Sequence, residues 1–251
     1  MVPKSIISLV VIMIGLQLAS LTSDFMPGTI AIIETFFSLI INPTFLYNVG
    51  VSLARLSSGW IIGMILGTLF GILIGVNERF RAYILPVISA LFPIPKIALL
   101  PLFLIFFGLG ETSKVITIFI GSFFPSIITV YSAVQRTPNQ LITLATSFGY
   151  DEKDIIRKVI IPHSLPTIIQ GFRTSTSMAL TLLVASEMLG AQVGLGYWIF
   201  NSGSTLDFAE MIACLIVLSI IGLIIAFCIS ILLKKFCNWS LESEGKGRQT
   251  G

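Results

Sequence analysis

The chain has 251 residues, 55% of them hydrophobic and 11% charged, with a formal net charge of +3 and a mean hydropathy of +0.98. A soluble domain carries about 25% charged residues, so this composition excludes an ordinary soluble fold and places the chain in a bilayer. The charge is too small and scattered for a nucleic-acid surface, and one histidine with three cysteines (Cys214, Cys228 and Cys237) at no ligand spacing excludes a metal centre or a disulfide framework.

A spanning helix needs roughly 20 apolar residues. Six such segments are predicted, at 5–22, 51–75, 84–107, 115–134, 172–190 and 210–233. The first reads as a retained helix, with a signal peptide as its alternative, because Lys4 precedes an apolar run that ends in small residues near Ala19. A shorter apolar stretch, Thr29–Ile41, carries Glu34 and ends at the turn signal Asn42-Pro43, which suits an interfacial or re-entrant helix. The chain is one membrane domain, and its tail from residue 236 on is expected to be disordered.

Charge fixes the orientation. With the N-terminus inside, twelve of the fifteen Lys and Arg face the cytoplasm: Lys4, Arg79, Arg81, Arg136, Lys153, Arg157, Lys158, Arg173, Lys234, Lys235, Lys246 and Arg248. Arg55 and Lys114 fall at outer ends, and Lys96 within a span. An even number of spans puts both termini in the cytoplasm.

Within the spans, a few residues stand out. Gly59, Gly63, Gly67, Gly71 and Gly75 recur every four residues, which lines one helix face for close packing inside the subunit or along a dimer seam. Pro93, Pro95 and Pro101 interrupt the third span, as a pathway-lining break or as a kink. Lys96 sits between these breaks; it either faces a wet pathway and attracts an anion or snorkels to the inner interface. Glu187 is an intramembrane acid near the outer end of its span, read either as a mouth residue or as a structural partner of Arg55. Gly190, Gly194 and Gly196 follow no strand and read as a flexible outer loop suited to docking a partner, with Tyr197 and Trp198 as interfacial anchors.

The polar island at 135–171 interrupts this apolar pattern. Gly149 suits the end of one helix, and Asp151 the start of the next. Acids occupy the first turn (Asp151, Glu152, Asp154) and bases the last (Arg157, Lys158), as the helix dipole favours. Ile155, Ile156, Val159 and Ile160 make one apolar stripe. Pro162 is expected to stop this helix and Pro166 to keep the next turn irregular. A helix over 151–160 would be only about 15 Å long, so it is expected to lie across the inner face rather than span. It rests there on lipid headgroups or serves as the grip for a soluble engine.

Gly149, nine residues, then Val159-Ile-Ile-Pro162 resembles the inner-loop signature of ABC-importer permeases. Thr143-Leu144-Ala145 stand where that signature has Glu-Ala-Ala, so the family's Glu is absent and any contact it makes is missing. Residues 52–75, 91–114, 165–173 and 186–199 are similar, in the same order, to the branch that takes up nitrate, taurine, sulfonates and thiamine precursors. The resemblance covers about residues 45–235. It implies an all-α, type I importer-like bundle of six transmembrane helices with a short cytoplasmic coupling helix, in a bacterial-type plasma membrane.

It further implies that two permease copies, as a homodimer, form the pathway, that two copies of a separate ABC ATPase bind ATP and Mg, and that an extracytoplasmic solute-binding protein delivers the solute. The chain itself then needs no cofactor and performs no chemistry, in keeping with its lack of a phosphate-binding loop. By this resemblance Phe148, Gly149, Tyr150, Asp151, Glu152, Asp154, Ile155, Val159 and Pro162 form the ATPase-coupling loop. Phe148 to Glu152 meet the ATPase, and the Ile/Val stripe packs back on the permease. The rival is a gradient-driven secondary transporter or channel, which would need paired acids or histidine relays at depth; only Glu187 and Lys96 stand there, with no evident mid-span partners. The substrate stays open among sulfonate, nitrate and a pyrimidine precursor.

Overall fold

A computed structural model describes Gln17 and residues 27–237. Residues 238–251 and all of the expected first span except Gln17 therefore lie outside the described residues; the expected disorder does not begin at 236, because Phe236 closes the last helix and Cys237 is buried. Every regular element among the described residues is a helix. They are α1 (Thr29–Ile41), α2 (Pro43–Val76), α3 (Glu78–Leu91), a 3-10 turn (Lys96–Leu99), α4 (Leu100–Phe107), α5 (Glu111–Gln135), α6 (Asn139–Ser147), α7 (Glu152–Gly190), α8 (Leu195–Ser204) and α9 (Phe208–Phe236). Three of them, α2, α5 and α9, are long and apolar enough to cross a membrane, and up to five spans result if each bent pair, α3 with α4 and α7 with α8, counts as one.

Local chemistry sets the boundaries. Asn42 accepts hydrogen bonds from the amides of Thr44 and Phe45 (2.9 and 3.3 Å), and Pro43 takes the first helical position, where its missing N–H costs nothing. Asn77 likewise caps α3 by accepting from Phe80 N (3.0 Å). At the far end of α3, Phe92 to Pro95 break the helix, and the two halves meet at 87°. Proline has no N–H and its ring strikes the carbonyl four residues back, so a helix cannot run straight through Pro93 and Pro95.

One compact unit comprises residues 55–183 and 222–237. Its centre is the contact between α2 and α5. A side chain at Gly59, Gly63, Gly67, Gly71 or Gly75 would collide with Ile118, Ser122, Ser126, Val130 or Val134 respectively, at 2.1–2.7 Å. The offset between partners is constant, so the two helices run parallel with their backbones nearly touching. The glycine face is thus consumed by packing inside the subunit. On a neighbouring face α5 receives α7 in the same manner: Gly121 lies against Leu182, and Gly171 against Thr129. Ile169 of α7 and Ile229 of α9 share a further buried cluster, and Arg173 donates to Ser230.

The second unit comprises residues 27–54 and 184–221. Leu39, Phe45, Leu195, Ile199, Ala213 and Cys214 form its core. The Phe45 ring meets Trp198 edge-on (5.3 Å between centroids, 84° between planes), a geometry that aromatic quadrupoles favour.

The helix expected over 151–160 differs from what the structure contains. Pro162 does not end it. Glu152–Ile155 is α-helical, Ile156–Ile160 forms a π turn, and Ile161–Gly190 is α-helical again, with Pro166 inside. The wide π turn comes immediately before Pro162, where the missing N–H and the ring clash would otherwise break the ladder. The short separate helix of the island is instead α6, which precedes Gly149.

The glycine face gives a direct test. Alanine normally favours a helix over glycine by about 0.5–1 kcal/mol. Gly67→Ala should nevertheless lower the thermal unfolding midpoint of the purified permease, because its Cβ would sit 2.6 Å from that of Ser126, and Gly67→Leu should cost at least about 1–3 kcal/mol. Gly50→Ala, which meets nothing within 4 Å, should leave the midpoint unchanged or raised.

Candidate functional site

Three groups of sequence-predicted residues take definite places. The first is the turn between α6 and α7. Pro138 precedes α6, which ends when Phe148 N donates to Leu144 O and Ala145 O (both 3.1 Å) and Gly149 N to Thr146 O (2.9 Å). Gly149 has φ +81°, the left-handed region that a β-carbon disfavours. Asp151 then caps α7 by accepting from Asp154 N (2.7 Å), and Lys158 donates to Asp154 (2.9 Å) while its ammonium lies 4.8 Å from the Tyr150 ring centre.

The two faces of this turn differ. Ile155 and Ile160 are buried with Val130, Ala133, Val134, Ala145 and Ile168, and Ile156 and Val159 pack against that cluster. Leu144, Phe148 and Tyr150 point the other way and are 55%, 75% and 42% exposed. A rigid, capped turn therefore presents apolar side chains outward. Leu144 was placed by the sequence only as a position in a motif; its exposure next to Phe148 follows from α6 being the separate helix. Pro162 lies beyond the turn, within α7.

The second group gathers at the elbow between α3 and α4. Phe92, Pro93, Pro95 and Lys96 line a cavity of about 290 Å³, closed by Gly121 and Pro125 of α5 and by Met178, Thr181 and Leu182 of α7. Lys96 Nζ donates to Phe92 O, and it lies 4.9 and 5.5 Å from the ring centres of Phe92 and Phe124. Pro101 falls in the first turn of α4, a position that tolerates proline. Arg55 is not part of this lining. Its guanidinium is buried and forms a fork on Glu111, with Nε and Nη2 each 2.6 Å from a carboxylate oxygen. Glu111 was missed in the sequence, although an acid opening a span is a signal that could have drawn attention.

The third group lies in the unit of residues 27–54 and 184–221. Glu187 is fully buried and accepts from Ser52 Oγ (2.8 Å to each oxygen) and from Gly196 N (2.8 Å). Ser52 in turn accepts from Leu195 N (2.7 Å), and Asn48 from Gly194 N (2.5 Å). A carboxylate, a hydroxyl and an amide thus hold the first amides of α8, where a helix leaves donors unsatisfied and favours negative charge.

This corrects the reading of Gly194 and Gly196 as a flexible loop. Both are buried: a Cβ at Gly194 (φ +128°) would lie 2.5 Å from the Glu187 carboxyl carbon, and one at Gly196 would lie 2.6 Å from Val184 O. They are small because the carboxylate occupies the space. Gly190 ends α7, and Tyr197 is half-buried on α8. Ser52 and Asn48 carry no sequence signal that separates them from other small polar residues.

A family model described as "Binding-protein-dependent transport system inner membrane component" matches residues 59–236. The chain is 30% identical over 245 residues to the putative aliphatic sulfonates transport permease protein SsuC of Bacillus subtilis, covering 98% of this chain and 88% of that protein. It is 29% identical over 195 residues to the taurine transport system permease protein TauC of Escherichia coli, covering 78% and 71%. The fold is similar to a chain of the MetNI methionine ABC transporter in an inward-facing conformation, with a TM-score of 0.64, 22% identity, and coverage of 77% of this chain and 96% of that one.

The capping network makes a measurable claim. Glu187→Ala strands the Ser52 hydroxyl and the Gly196 amide, at about 1–3 kcal/mol for each buried group. Amide hydrogen exchange at residues 194–198 should accelerate strongly in Glu187→Ala, while α5 amides keep their native protection. Equal exchange in native and variant would mean that the network does not hold α8.

Proposed function

This chain belongs to the family of binding-protein-dependent transport system inner membrane components, and on that premise we propose how it works. It is the membrane-spanning permease of an ABC importer. ATP is bound and hydrolysed by a separate ATPase, two copies of which dock on a pair of permease chains. A solute-binding protein meets the opposite side of the membrane. The termini and the α6–α7 turn face the cytoplasm, in line with the twelve basic residues that fall on that side.

The observation that supports ATPase docking is the two-faced turn. Leu144, Phe148 and Tyr150 are exposed beside the left-handed Gly149, and the opposite face is fixed to α5 through Ile155 and Ile160. An exposed apolar cluster on a rigid mount fits a groove on a soluble partner. Because α7 continues unbroken from the turn to Gly190, a push at the turn moves the whole helix instead of being absorbed by a hinge. The missing family Glu, replaced by Thr143, is tolerated because shape and apolar contact carry the docking.

The solute is a small molecule such as a sulfonate, as the names of the relatives suggest for those proteins. The paired assembly gives two arrangements of similar energy, biased in turn by nucleotide and by the loaded binding protein.

Phe148→Asp tests the docking, since Phe148 is exposed and its replacement leaves the permease core intact. The tagged native chain, expressed with its neighbouring gene products, should co-purify an ATPase, and Phe148→Asp should lose at least about tenfold of it, as expected for an interface anchor worth more than about 1.4 kcal/mol. Retention of the ATPase by the variant would remove Phe148 from the interface. Absence of any ATPase from the native preparation would overturn the assembly.

A further inference from the structure

We propose that the cavity at the α3–α4 elbow is a solute site that takes a small organic anion, its charged head on Lys96 and its short apolar body against Met178, Leu182 and Pro125. The proposal deepens the importer reading, on which it rests, by assigning the permease residues that hold the solute.

The argument begins with the cost of the lysine. An ammonium within a spanning segment is expensive, and such groups face cavities or partners. Among the described residues no acid pairs with Lys96. The ammonium donates instead to Phe92 O and lies over the Phe92 and Phe124 rings. Ring faces and a carbonyl moderate a positive charge without neutralising it, so the cavity keeps an electropositive end.

The rest of the cavity is apolar. Thr181 is the one side chain besides Lys96 that brings a polar atom to the lining, and its hydroxyl is already given to Ser177 O (2.9 Å). A lining with one cation and hydrocarbon elsewhere matches a ligand with one anionic head and a short alkyl body. An inorganic anion such as nitrate would leave the apolar wall unused, and a zwitterion would bring a second charge with no partner. The volume of about 290 Å³ lies at the small end of ligand pockets, which limits the alkyl body to a few carbons.

The cavity also sits where movement reaches it. Met178, Thr181 and Leu182 are on α7, the helix that begins at the α6–α7 turn, whereas Pro93, Pro95 and Lys96 are on the elbow. Displacement of α7 relative to the elbow changes the apolar wall and leaves the charge in place. The site can therefore loosen its hold on the solute body as the helix moves.

The test uses the full-length permease in phosphatidylcholine nanodiscs with sodium butanesulfonate as the probe and saturation-transfer NMR as the readout. Native protein should transfer saturation to the butyl protons, and 1-butanol, with the same body and no charge, should give little. Lys96→Met should lower butanesulfonate affinity by about tenfold or more, the loss expected for a charge-assisted contact of more than about 1.4 kcal/mol. Lys96→Arg should keep most of it, which separates charge from folding. Met178→Trp, which fills the cavity, should abolish binding of the sulfonate while Lys96 is intact.

Equal binding by native and Lys96→Met protein, or no transfer to butanesulfonate with the native chain, overturns the proposal. The importer reading fails separately: a chain that binds butanesulfonate through Lys96 but co-purifies no ATPase keeps the site and loses the assembly.

Discussion

The unit of residues 55–183 and 222–237 depends on how closely α2 approaches α5. Lipid tails are as apolar as leucine, so helices in a bilayer gain no hydrophobic energy from meeting each other. What holds them is dispersion at short range, which falls off steeply with a gap of even 1 Å. Five glycines at a four-residue spacing remove the side chains that would keep α2 and α5 apart. Gln135 then donates to Gly75 O (2.6 Å), which satisfies a carbonyl at the end of α2. With that pair fixed, α5 offers a neighbouring face to α7 through Gly121 and Thr129.

A rigid α2–α5 pair gives the remaining parts something to work against. Ile155 and Ile160 pack on the same helix, α5, that lines the elbow cavity with Gly121 and Pro125. The α6–α7 turn and the cavity are therefore two ends of one helix contact. The π turn before Pro162 keeps α7 continuous between them. Had the proline broken the helix, the turn and the cavity wall on α7 would stand on separate segments.

Two polar networks show how charge is made affordable in an apolar chain. Arg55 is forked on Glu111, and the Glu187 carboxylate sits on the first amides of α8. In the first the buried group is the guanidinium and in the second the carboxylate, and each has hydrogen-bond partners, which is the condition under which a buried polar group is tolerated. Lys96 differs from both, because its charge is shared with a carbonyl and two rings and keeps capacity for a further partner.

Much of this was legible in the order of residues. Runs of apolar residues placed the spans at 51–75, 115–134 and 210–233, because the length of a bilayer crossing is a local, additive property of the chain. Asn42-Pro43, Asp151 and Gly149 marked helix ends correctly, since capping and the left-handed turn involve residues within a few positions of one another. The every-fourth spacing of glycine announced a close contact without saying with what. The tertiary structure alone decided the rest. It set α5 as the partner of the glycine face, drew Ser52, Asn48 and Glu187 to the start of α8, and paired Arg55 with Glu111. It also carried the helix through Pro162, where local rules predict a stop. Each of these depends on groups that are far apart in the chain or on a π turn that local rules do not predict. A periodicity can say that a face is special, but the atoms that meet it are chosen by how the helices assemble.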